Sequence, residues 1–297
     1  MEKSDADIAQ WVGRSQSRTE VIYGVQVRQL AATFNDAARL ATPDAVPLPA
    51  LWHWAYFNPL EVQSRLGDDG HPQRGDFMPA VNLPRRMWAG SRLKWHRAFS
   101  VGMCVTRQTR IDKVERKTGR SGEMVFVTLA HQYGDTDGLL LEEEHDIVYR
   151  EWPTAAEKVA LADLGKRACA GEHGFERTGA RQQEVHADAV MLFRYSAATF
   201  NGHRIHYDSD YCRNVEGYPA LVVHGPLIAT LLLGFVENTL ACGSFIRSFA
   251  FRAMRPTFAL GPFHLHAATP GADGKCMHVW STNNVGEVGL DAQVLLA

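Results

Sequence analysis

The chain has 297 residues, 45% hydrophobic and 22% charged, with a formal net charge of −2. Near-neutral charge gives no basic footprint for nucleic acid. No apolar run approaches the roughly 18 residues expected of a membrane span, and the densest, residues 227–236, is broken by Gly234. At roughly 100–200 residues per domain, this length fits two modest domains or one large one.

The N-terminal MEKSDADIAQW is acidic and lacks the apolar core of a signal peptide. Five widely spaced cysteines (Cys104, Cys169, Cys212, Cys242 and Cys276) form no CxxC pair. Neither a disulfide framework nor a zinc knuckle is expected, and reduced thiols in a cytoplasmic protein are.

Residues 1–20 are polar and read as a short helix or a loose arm. Apolar spacing (Val25, Val27, Leu30, Ala31, Phe34, Leu40) predicts helix over 21–40. Residues 48–59 are rich in Trp and Pro, and 67–75 (GDDGHPQRG) form a loop cluster. The run PRRMWAGSR places Arg85, Arg86 and Arg92 around a Trp-Ala-Gly turn. From about Arg92 the period shortens: Phe99, Val101, Met103 and Val105 alternate as a half-buried strand does. Residues 111–116, 124–131 (MVFVTLAH) and 139–149 are further strands, separated by KTGRSGE and YGDTDG.

A helix-bearing start followed by antiparallel strands is an α+β half-domain. Residues 153–180, rich in Ala, Gly and charge, are the best linker. The second half repeats the order: a loop, a helix over 225–240, then strands over 244–254, 263–268, 277–282 and 292–296. In that helix Leu227, Ile228, Leu231, Leu232, Phe235 and Val236 share one face, widened by Ala229, Leu233 and Leu240, so it is largely buried. A buried helix beside antiparallel strands means a sheet wrapped around a helix, twice.

The chemistry-bearing stretch is YSAATFNGHRIHYDSDYCRNVEGYPALVVHGPL. Asn201 and His206 can handle one water, and His224-Gly225 opens the apolar helix. Adding water to an activated C=C bond builds charge on a carbonyl oxygen, and a backbone amide at a helix start is aimed at such charge.

These residues resemble the MaoC-like, hot-dog-fold (R)-specific enoyl-CoA hydratases. FNGHRIHYD followed by VEGYPALVVHGPL is similar to the hydroxyacyl-thioester dehydratase type 2 branch, which includes itaconyl-CoA and mesaconyl-C4-CoA hydratases. The resemblance implies an α+β double hot dog, with residues 1–152 a degenerate half, 153–180 the linker and 181–297 the catalytic half. It implies that His206 moves the proton, Asn201 grips the water and the Gly225 N–H holds the thioester oxygen. Asn201 stands where the wider family has Asp, and an amide takes no proton at neutral pH, so proton transfer falls on His206.

Tyr195, His203 and His224 are expected to line the site, with Arg252, Arg255, Arg85 and Arg86 as anchors for CoA phosphates or a distal carboxylate. His203-x-x-His206 lacks a third ligand nearby in sequence, so no metal is expected, and no other cofactor. The implied partner is an acyl-CoA thioester, short and dicarboxylic. Longer or carrier-protein-linked acyl groups, a non-catalytic acyl-CoA-binding hot dog and a thioesterase are the alternatives. No membrane or nucleic-acid partner is expected, and a homodimer is compatible with how hot-dog sheets associate.

Overall fold

The computed structural model describes residues 8–44, 47–119, 122–172, 174–240, 245–272 and 274–297. Ten strands form one antiparallel sheet: β1 (Ser15–Val21), β2 (Arg85–Trp95), β3 (Cys104–Gly119), β4 (Gly122–Asp135), β5 (Gly138–Arg150), β6 (Arg181–Val185), β7 (Ile246–Ala253), β8 (Phe263–Ala267), β9 (Cys276–Thr282) and β10 (Val288–Leu296). Their order, β1-β3-β4-β5-β2-β7-β10-β9-β8-β6, is its own mirror: five strands of the first half, then the equivalent five of the second. The two halves meet where β2 pairs with β7, from Gly90–Arg252 to Lys94–Ser248.

Six α-helices lie among the described residues: α1 (Gly24–Thr33), α2 (Ala37–Ala41), α3 (Ala155–Cys169), α4 (Ala189–Ala198), α5 (Ser209–Asn214) and α6 (Gly225–Glu237). α6 carries the apolar face read from its spacing. Leu227, Ile228, Leu232, Leu233, Phe235 and Val236 are buried, and the helix packs on β8, β9 and β10.

The first half fills the corresponding space differently. Trp52–Ala55 is a 3-10 turn whose four residues are all buried. Glu143, 1% exposed on the same inner face, accepts from Trp54 Nε1 at 2.7 Å and Tyr133 Oη at 3.0 Å, with His53 Nε2 at 3.1 Å. A buried carboxylate is tolerable only with such partners, and here they pin the aromatic segment under the sheet.

Several local expectations change. Residues 15–21 are an edge strand on β3 rather than a helix or arm, while residues 1–7 lie outside the described set. Residues 99–103 precede β3, which begins at Cys104. The predicted 244–254 strand is seen from Ile246, its first residue Ser244 being outside the described set. The 153–180 stretch holds α3, opened by a Thr154/Glu157 capping box.

Trp88-Ala89-Gly90 is no turn between segments. It is an irregularity within β2, where Trp88 pairs with Ile147 but Gly90 with the next residue, Asp146. The extra residue reverses the alternation of side chains. Arg92, beyond it, points outward with its partner Glu144. Arg86, before it, pairs with the fully buried Tyr149 on the inner face.

Gly90 is also a place of close approach between the halves: a Cβ there would run into the Phe251 carbonyl. Gly90→Ala is expected to destabilise the fold by about 2 kcal/mol or more, through a shift of the β2–β7 seam. Thermal unfolding checks this, with a fall in Tm of several degrees as the expected result.

Candidate active site

The segment between α4 and α6 is folded by its own backbone. Asp188 caps α4 by accepting from Met191 N at 2.8 Å. The chain reverses at Phe200, in the left-handed region (φ 50°), and Asn201 N returns to Ser196 O at 2.8 Å. Asn201 Oδ1 then accepts from His203 N at 3.0 Å. This turn occupies the amide oxygen and leaves the NH2 group to donate elsewhere. A 3-10 turn, Arg204–His206, follows, and Val222 N bonds Ile205 O at 3.0 Å.

His206 is buried, and its Nδ1 lies 2.7 Å from Val222 O. A carbonyl only accepts, so Nδ1 carries the hydrogen and Nε2 keeps its lone pair. Burial pushes the pKa of His206 down to about 4, the Val222 bond opposing this and His71 adding to it. The ring stacks on His224 at 3.6 Å between centroids. His224 is fully buried, with Nε2 at 2.8 Å from Ser196 Oγ, and Tyr195 packs edge-on against it at 5.1 Å.

Gly225 is the first residue of α6, followed by Pro226. Its N–H belongs to the helix turn that has no intrahelical acceptor. A Cβ built on Gly225 would meet nothing within 4 Å, so there is space beside this amide.

The first half supplies the opposite wall, through the loop read from sequence only as turn-forming. Gly70, at φ +86°, presses on Gly202 so closely that any side chain would strike the Gly202 carbonyl. Arg204 N donates to Asp69 O and Arg204 Nη1 to Asp68 O, each at 3.0 Å. Asp69 holds His71 through the backbone N at 2.9 Å and Nδ1 at 3.1 Å. The His71 ring lies 4.3 Å from that of His203, which lies 5.4 Å from that of His206. His203 Nε2 is also 4.0 Å from Oε1 of Glu216. Burial raises the Glu216 pKa, with Arg85 opposing the rise. Sequence reasoning passed over Asp69, His71, Ser196 and Glu216. The HP step within GDDGHPQRG was the visible signal for the loop, but only tertiary contact brings it to His203.

Asp69, His71 and His203 are the described residues whose ligand atoms, all within 4.8 Å of one another, could hold a metal ion. Asn201, His203, His206, His224, Gly225 and Tyr195 thus lie together. The arginines divide. Arg85 is buried and donates to Glu151 O at 2.8 Å. Arg86 lowers the pKa of His71 and His203, beneath the larger effect of burial. Arg252 is exposed, opposite Gly90 on the outer face. Arg255 binds Glu176 at 3.1 Å, with Glu287 at 3.6 Å.

The sheet wrapped on a buried helix, and the imidazole beside that helix's first amide, define a hot-dog acyl-thioester hydro-lyase. The solved structures agree on the fold. A MaoC-like dehydratase from Phytophthora capsici superposes with a TM-score of 0.69 at 12% identity, covering 96% of this chain and 95% of that one. A Mycobacterium tuberculosis protein described as a double hotdog superposes at 0.53 with 15% identity, covering 96% of each chain. The chain belongs to the hydroxyacyl-thioester dehydratase type 2 family, whose model matches residues 51–259. It is 41% identical to the mesaconyl-C(4)-CoA hydratase of Chloroflexus aurantiacus, over 90% of this chain and 91% of that protein. Among the described residues no helix is long and apolar enough to cross a membrane.

His203, His206 and His224 share a consequence for stability. Burial is the largest cause of the lowered pKa in each. Unfolded, they titrate near 6.5, so below that pH the unfolded chain binds more protons than the folded one. Stability should therefore be level above about pH 6.5 and fall below it, by up to about 1.4 kcal/mol per pH unit for each imidazole, until the folded values are reached. Denaturant midpoints measured from pH 7.5 to 5 test this, and a flat profile would contradict it.

Proposed function

We propose that the protein catalyses reversible addition of water across the C=C bond of a short dicarboxylic enoyl-CoA, of the mesaconyl-C4 type. The observation that carries this reading is His206, held neutral and in a single tautomer, beside Asn201 and the free first amide of α6. The 41% identity to a mesaconyl-C(4)-CoA hydratase supports the substrate class.

In the hydration direction, Nε2 of His206 takes a proton from water as its oxygen bonds to the β-carbon. Electron density moves through the α-carbon to the thioester oxygen. The Gly225 N–H donates to that oxygen while it is negative, helped by the helix dipole. The proton on His206 then goes to the α-carbon as the carbonyl re-forms, and the hydroxyacyl thioester leaves with both hydrogens of the water. The Asn201 NH2 group orients the attacking oxygen. The hydrogen bond from Nδ1 to Val222 O and the stacked His224 hold the imidazole in place through the cycle.

Loss of the enoyl-thioester ultraviolet band with mesaconyl-C4-CoA tests the reading. His206→Ala is expected to lower kcat by roughly 10²–10⁴-fold, and Asn201→Ala by a smaller factor. Because His206 must be unprotonated to accept, the hydration rate should stay level as pH falls through 6.5 and decline only toward about 4. An acid limb centred at 6.5 would contradict the assignment of the base. Thiol release without loss of the C=C band would favour thioester hydrolysis instead.

A further inference from the structure

The substrate class sets a geometric demand. In a mesaconyl thioester carrying CoA on C4, the free carboxylate and the methyl group sit on the β-carbon, the carbon that receives the hydroxyl. The carboxylate therefore lies beside the attacking water, and so beside His206. A plain enoyl thioester brings no charge there.

The wall next to His206 is made by His203, then His71, and Arg86 comes from the inner face of β2, where its strand partner is the fully buried Tyr149. Arg86 lowers the pKa of each imidazole, secondary to burial. Among the described residues it has no hydrogen bond or ion pair, a state it shares with Arg252, which is exposed on the outer face and away from these imidazoles. Arg92 is taken by Glu144 and Asp146, Arg255 by Glu176 and Glu287, and Arg74 by the carbonyls of Val81, Leu83 and Pro84. Asp69 spends its carboxylate on His71, and burial drives Glu216 toward its neutral form. A half-buried guanidinium with no carboxylate within ion-pair distance, next to neutral imidazoles, is a place that favours an anion.

The irregularity at Trp88/Gly90 is what puts it there. Without the extra residue, Arg86 would share the outer face with Arg92 and point away from the site. From the substrate reading above, we infer that Arg86, with His71 and His203 beside it, binds the β-carboxylate of the acyl group and is the residue that selects dicarboxylic over simple enoyl thioesters. A guanidinium fork can take both carboxylate oxygens at once, a match that an ammonium group does not reproduce. The same imidazoles with Asp69 could hold a cation, but the charge of Arg86 opposes it.

The experiment compares kcat/KM for mesaconyl-C4-CoA and crotonyl-CoA in the wild type, Arg86→Gln and Arg86→Lys, with circular dichroism to confirm folding. The mesaconyl-to-crotonyl ratio is expected to fall on the order of 100-fold in Arg86→Gln, chiefly through KM, with partial recovery in Arg86→Lys. An unchanged ratio, whether activity is kept or falls equally on both substrates, overturns the inference and leaves the proposed reaction standing. A wild type that hydrates crotonyl-CoA alone overturns the substrate reading and the inference together. Loss of activity in the wild type on chelation, restored by zinc, would put a cation at Asp69, His71 and His203 and overturn the anion site.

Discussion

The pairing of β2 with β7 is the constraint on which the rest depends. It joins two five-stranded halves into one sheet and fixes the height at which the first half meets the second. Once that register is set, the loop with Gly70 falls on the turn with Gly202, and backbone meets backbone with no room for a side chain on either. Arg204, two residues before His206, completes the clamp through the carbonyls of Asp68 and Asp69. His206 is thus held from its own half by Val222 and, through its neighbours, from the other half. Support on both sides is what the proposed base would need to meet a reacting atom within a fraction of an ångström.

The electrostatics follow from burial. Four imidazoles, His71, His203, His206 and His224, lie within a chain of ring contacts, and burial is the largest cause of the lowered pKa in each. Neutral imidazole is the form a base requires, and a base kept neutral by its surroundings is ready without deprotonation at the moment of reaction. The same burial favours the neutral form only in the folded state, so the fold is expected to be acid-sensitive. Asn201 carries no charge, and among the described residues no negative charge raises the basicity of His206. Among the described residues, the Val222 carbonyl is the partner that favours its protonated form.

The halves share strand order but not filling. α6 occupies the second half as a continuous apolar helix, while the first half uses a short Trp-rich turn held by Glu143. The first half contributes walls instead: His71 from its loop and Arg86 from β2. Under the proposed function, this division would let one half keep the chemistry while the other adapts to the acyl group.

The apolar period of α6, the Asn201–His206 spacing and the His224-Gly225 step were all legible in the sequence, because each is local: a helix face, a turn and a helix start are made by neighbours in the chain. Strands β7 to β10 were legible for the same reason, since alternation survives wherever one sheet face is buried; β6, polar and exposed along most of its length, was not read. The edge strand β1 was not, being polar and exposed along most of its length. Nor was β2, whose alternation is broken at Trp88-Ala89-Gly90 so that it read as a turn. Sequence also treated Arg85, Arg86, Arg252 and Arg255 as equals. Only tertiary structure separated them, since whether an arginine is spent on a carboxylate, turned outward or left facing buried imidazoles depends on cross-strand partners far away in the chain. The same reason hid His71 and Asp69: their meaning lies in contact with His203, and that contact exists only once the two halves are joined at β2 and β7.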